Sequence, residues 1–77
     1  MTRPTIPSVL PLFISYRRRH GAWGSLHIVL DDGNVRDSDV GWCIEHARER
    51  GDAEGEALGR VLLAMSRTQR RKLGAMA

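Results

Sequence analysis

Three stretches of this chain carry apolar side chains at one and the same spacing. Val9, Leu12, Phe13 and Tyr16 form the first, Val40, Cys43, Ile44 and Ala47 the second, and Leu58, Val61, Leu62 and Met65 the third. Each set falls at i, i+3, i+4 and i+7. That period makes one face of an α-helix apolar, whereas a strand alternates every two residues. The chain must therefore bury helical stripes against one another. With 77 residues it has room for one small core and none for a large enzyme cleft. A single cysteine, Cys43, excludes an internal disulfide. The longest apolar run, Val9 to Ile14, falls far short of the roughly 20 residues of a membrane span and fits no signal peptide. A soluble, cytoplasmic chain without a membrane partner is expected.

Punctuation residues divide the sequence further. Pro4 and Pro7 make residues 1–7 read as an extended, mobile arm, leaving 8–77 as a single helical domain. Ser8 is placed to cap a first helix over residues 9–20, with Pro11 in its first turn, Arg17–His20 in its last and Gly21 closing it. Residues 25–33 allow a short helix capped by Ser25 and ended by Gly33. The minority reading is an α+β fold with a hairpin at 26–36, on the alternation of Leu26–Leu30 and the Asp32-Gly33 turn signal. The acid-rich stretch after that turn is a poor second strand, which favours the helix. Asp37 or Ser38 can cap the next helix, which Gly51 ends. Trp42 lies beside its stripe, and Glu45 is placed to meet Arg48 three residues on. Asp52 caps the helix after that, whose stripe Ala57 and Leu63 widen and in which Gly59 marks a close crossing. Ser66 with Gln69 has capping-box spacing and predicts a restart into a basic helix over 67–74. The expected fold is all-α, a small bundle of four to five short helices.

A formal net charge of +3 conceals a strong segregation. Residues 1–30 hold Arg3, Arg17, Arg18 and Arg19 and no acid. Residues 31–56 hold all nine acids with only Arg36, Arg48 and Arg50. Residues 57–77 hold Arg60, Arg67, Arg70, Arg71 and Lys72 and again no acid. Basic ends thus flank an acidic centre. Eleven of the twelve cations are Arg, which binds carboxylate and phosphate as a planar fork.

Candidate chemistry is sparse. Cys43 and His46 stand at metal-ligand spacing, but a structural zinc needs four ligands and His20 and His27 have no paired motif. As a nucleophile, Cys43 lacks a hydrolase signature around it, and a thiol on an apolar stripe is more simply a small core residue. Asp31-Asp32-Gly33-Asn34 lacks the alternating acids and closing Glu of a calcium loop. His27, in an apolar segment, reads as a partly buried histidine. No enzyme activity, metal or cofactor is expected. The charged clusters are the better candidates for function. Arg17, Arg18 and Arg19, and Arg70 and Arg71, could neutralise phosphates or meet an acidic surface, though charge at a helix end also serves the helix dipole. Asp31, Asp32, Asp37 and Asp39 could engage a basic groove, with Trp23 or Trp42 as anchor if exposed.

Two runs, His20–Asn34 and Met65–Leu73, resemble small uncharacterised proteins of tailed bacteriophages and prophages. The likeness extends over about 55 residues and carries no motif of known chemistry. It implies a bacterial cytoplasm during infection and a protein that binds and disables a host protein or ribonucleoprotein complex, in the manner of anti-CRISPR inhibitors. The expected function is thus inhibition or modulation of a host complex, with CRISPR–Cas machinery the favoured target. The alternative is a small basic nucleic-acid-binding regulator. The basic-acidic-basic order also allows a homodimer.

Overall fold

Thr5 and Ser8 set the first helix earlier than its apolar stripe predicts. The Thr5 hydroxyl accepts from the Ser8 N–H at 3.4 Å, and the Ser8 hydroxyl accepts from the Thr5 N–H at 3.2 Å. This reciprocal cap starts α1 at Ile6 and carries it to His20 in the computed structural model, which describes residues 4–21, 26 and 36–76. Ser8 is thus the third helical residue and not the cap, and residues 5–7 belong to the helix and its cap, not to an arm. Pro7 falls where its missing N–H is harmless, while Pro11 moves to the second turn, on the exposed side. Gly21, at φ 67°, closes the helix as expected.

Three more helices follow among the described residues, and no strand is found among them: α2 (Asp37–Glu49), α3 (Ala53–Leu63) and α4 (Arg67–Met76). The short helix or hairpin expected within 25–36 lies outside the described residues, apart from Leu26, which is buried, and Arg36. Arg36 occupies the cap position of α2, so Asp37 and Asp39 stand in its first turn, where carboxylates complement the helix dipole. Gly51, at φ 72°, turns the chain between α2 and α3. Asp52 then caps α3 by accepting from the Gly55 N–H at 2.9 Å. This short connection makes α2 and α3 a helical hairpin, the most extensive packing between the described helices. The Ser66–Gln69 capping box forms in both directions, at 3.2 Å each, and restarts the chain as α4.

The stripes meet as their spacing demands. Val9, Phe13 and Tyr16 of α1 pack with Val40, Cys43 and Ile44 of α2, Leu58 and Leu62 of α3, Met65, and Leu73 of α4. Two expected core positions fail. Leu12 is 57% exposed, and Leu63 also faces solvent, because no helix among the described residues covers those edges of α1 and α3.

At Gly59, α3 lies directly against Ile44 of α2. A Cβ on Gly59 would lie 2.7 Å from Ile44 Cγ1, inside the core. Gly41, within α2, has nothing within 4 Å of the same position. Both glycines weaken their helix by about 1 kcal/mol relative to Ala, yet the two replacements should act oppositely. Gly41→Ala is expected to stabilise the protein by about 0.5–1 kcal/mol. Gly59→Ala should lose about 1–2 kcal/mol net, because overpacking outweighs the propensity gain. Thermal unfolding of the two variants checks the pair of signs.

Candidate partner-binding faces

Folding brings the basic ends onto the acidic centre. Arg19 meets Glu54 at 2.5 Å, with His20 Nε2 3.7 Å from the same carboxylate. Arg48 and Arg60 both approach Glu56, and the bond from Arg60 and these two charges hold that carboxyl below its ordinary range. Arg48 also meets Glu45, as the spacing predicts.

The expected acidic patch divides accordingly. Asp31 and Asp32 lie outside the described residues, as does Trp23. Asp39 accepts from Arg36 at 3.2 Å. Asp37 is paired with Arg70 at 2.7 Å. Two residues expected to face partners of opposite sign are therefore bound to each other.

Arg70 is not a surface cation. It is 2% exposed, and its guanidinium reaches back to the end of α3, donating from Nε to the Leu62 carbonyl at 2.6 Å and from Nη2 to the Leu63 carbonyl at 3.0 Å. Carbonyls in the last turn of a helix have no partner within it. Arg70 supplies one from α4 while its third nitrogen holds the start of α2. Arg71 points outward with Arg67 and Lys72, and these three together with Arg18 have no ionic partner among the described residues. Arg17 is exposed but engaged.

A second face is carried by α2. Trp42 is 50% exposed, and its ring stacks on His46 at 4.9 Å between centroids and 10° between planes. Glu45 and Glu49 follow at i+3 and i+7, on the same outer side, and Glu49 has no ionic partner among the described residues. This Trp42–Glu49 face joins an aromatic plate to negative charge on a rigid helix.

Cys43 and His46 do not form a centre together. The thiol is buried in the core, where desolvation, and then the charge of Asp39, push its pKa up to about 11. It stays protonated at neutral pH, while the His46 ring is occupied by Trp42 at the surface. No three His, Cys, Asp or Glu side chains among the described residues gather into a metal site. No helix among them is long and apolar enough to cross a membrane.

These features define a small helical module with an aromatic-acidic face on α2 and a cationic face on α4. Compared with known proteins, the chain matches no family model, no curated protein and no solved structure.

Proposed function

We propose that this chain is a non-enzymatic binding module of phage type that docks on a host protein complex in the bacterial cytoplasm and inhibits or modulates it, CRISPR–Cas machinery being the specific target. The supporting observation is Trp42, half exposed on the outer face of α2. A large aromatic anchored on a helix offers contact area at small entropic cost, and such residues dominate interface energies. Glu45 and Glu49 beside it call for a partner surface carrying Arg or Lys around an apolar pocket. Asp37 and Asp39, held by Arg70 and Arg36, contribute less than their position in sequence implies.

Pull-down from host lysate tests this. The wild-type chain should retain a defined host complex, and Trp42→Ala should weaken its capture at least tenfold, with a melting temperature within a few degrees of wild type. Equal capture by both proteins would remove α2 from the proposal.

Arg67, Arg71 and Lys72 of α4, which have no ionic partner among the described residues, favour a second reading, a nucleic-acid-binding regulator. Arg67, Arg71 and Lys72 engaging three phosphates would give log K against log salt a slope of about −2.7 on duplex DNA. Absence of binding at low salt eliminates that reading.

A further inference from the structure

Helix α3 ends at Leu63 and α4 begins at Arg67, so Ala64, Met65 and Ser66 make the whole connection between them. Each has a task. The Ala64 N–H bonds back to the last turn of α3, Met65 is buried and pins the turn to the core, and Ser66 opens α4 through its cap with Gln69. Beyond the turn α4 packs more on α1 than on α3. It therefore leaves the axis of α3 steeply and does not fold back along it, as α3 does on α2. The bonds from Arg70 to the Leu62 and Leu63 carbonyls fix this arrangement from inside. Two helices joined steeply by a turn of three or four residues form a helix-turn-helix.

The outward side of α4 carries Arg67, Thr68, Arg71 and Lys72, all exposed. Arg71 lies four residues from Arg67 and three from Thr68, so these side chains share one face. No acid follows Glu56 in the chain. Asp37, which does reach α4, is held by Arg70 from the inner side.

We infer that α3 and α4 are a helix-turn-helix whose second helix enters the major groove of duplex DNA. That groove, about 12 Å wide, admits an α-helix, whereas the major groove of duplex RNA is too narrow and deep. The ten residues of α4 span about 15 Å, enough to lie in it. A membrane surface suits this face poorly, because its one large exposed apolar side chain is Met76, at the end of the helix. The early residues of such a helix reach base edges. Arg67, Thr68 and Arg71 occupy those places, and an Arg fork matches the two acceptors of guanine. Lys72, a point charge one turn further on, meets a flanking phosphate. This inference rests on the nucleic-acid reading above and is independent of any docking by α2.

Fluorescence anisotropy of the full chain at low salt tests it, on labelled duplex DNA, duplex RNA and single-stranded DNA of about 20 nucleotides and one sequence. Selection from a pool of random DNA duplexes follows. Duplex DNA should bind about tenfold or more tighter than duplex RNA, and selection should enrich a short sequence containing guanine. Arg71→Gln should cut the preference for selected over random duplex about tenfold or more, while Lys72→Gln weakens both alike. Both positions are exposed, so the melting temperature should hold. Equal affinity for the three nucleic acids, or a pool that enriches nothing, overturns the inference and leaves the nucleic-acid reading standing. So does a full preference retained by both Arg67→Gln and Arg71→Gln. No binding to any of the three overturns the two together.

Discussion

Arg70→Ala is expected to destabilise the protein by about 3 kcal/mol, lowering its melting temperature by roughly 12–20 °C. Asp37→Ala should cost less than about 1 kcal/mol. The two residues form one ion pair, so an account resting on that pair alone predicts similar losses. The difference comes from what each leaves behind. Asp37 is 74% exposed, and its attraction for the guanidinium is screened by water. Removing it takes one partner from Arg70 Nη1, while the Leu62 and Leu63 carbonyls still hold the guanidinium in place. Removing Arg70 orphans the Leu62 and Leu63 carbonyls at the end of α3 and opens a void where α3 and α4 meet. Arg70→Lys should recover little, because one ammonium cannot reach three acceptors spread around a planar fork. Urea unfolding of the three variants measures this. Equal costs for Arg70→Ala and Asp37→Ala would mean that the ion pair, and not the capping of α3, holds α4 in place.

The α2 stripe Val40, Cys43, Ile44 and Ala47 is buried as its period predicts, because a helix with one apolar face has one way to hide it. The close crossing at Gly59 and the Ser66–Gln69 cap were legible for the same local reason: small size or fixed spacing decides each. The misread positions depend on neighbours that the apolar stripe does not include. Leu12 fits the α1 stripe, yet no helix among the described residues covers that edge. Ser8 has the chemistry of a cap, but a Thr three residues earlier uses it as the reciprocal partner. Arg70 sits among Arg67, Arg71 and Lys72 and reads as one more solvated cation. A signal was nevertheless present, since Arg70 lies three residues before Leu73, and burying that leucine turns Arg70 inward. The exposure of Trp42 was equally available, as Glu45 and Glu49 at i+3 and i+7 mark its side of α2 as the wet one. The segregated charge becomes contact in space, through Arg19 with Glu54 and Arg70 with Asp37. Among the described residues, the charges left without an ionic partner after that pairing are Arg67, Arg71 and Lys72 on α4, Arg18 and Glu49, and the candidate faces follow from them.

Asp52→Ala should cost about 3 kcal/mol, because one carboxylate performs two tasks with its two oxygens. Oδ1 accepts from the Gly55 N–H and caps α3, worth about 1 kcal/mol. Oδ2 accepts from the Tyr16 hydroxyl at 2.7 Å and ties α1 to the start of α3. Tyr16 is fully buried, and losing this acceptor there costs a further 1–3 kcal/mol or so. A Cβ on Gly55 would come within 2.9 Å of that hydroxyl, so the site also requires glycine. Asp52→Asn keeps an oxygen for the cap but loses the charge, and should cost about 1 kcal/mol. Tyr16→Phe removes the donor and leaves a carboxylate that water can reach, again at about 1 kcal/mol. The double variant Tyr16→Phe with Asp52→Ala is the deciding measurement. With the hydroxyl gone, removing its acceptor breaks no further bond between them, so the combined cost should fall about 1–2 kcal/mol below the sum of the two. Strict additivity in urea unfolding would show that the bond carries no stability of its own. Helix α1 would then be held to α3 by core packing, Phe13, Tyr16 and Leu58 included, with the exposed Arg19–Glu54 pair at the surface.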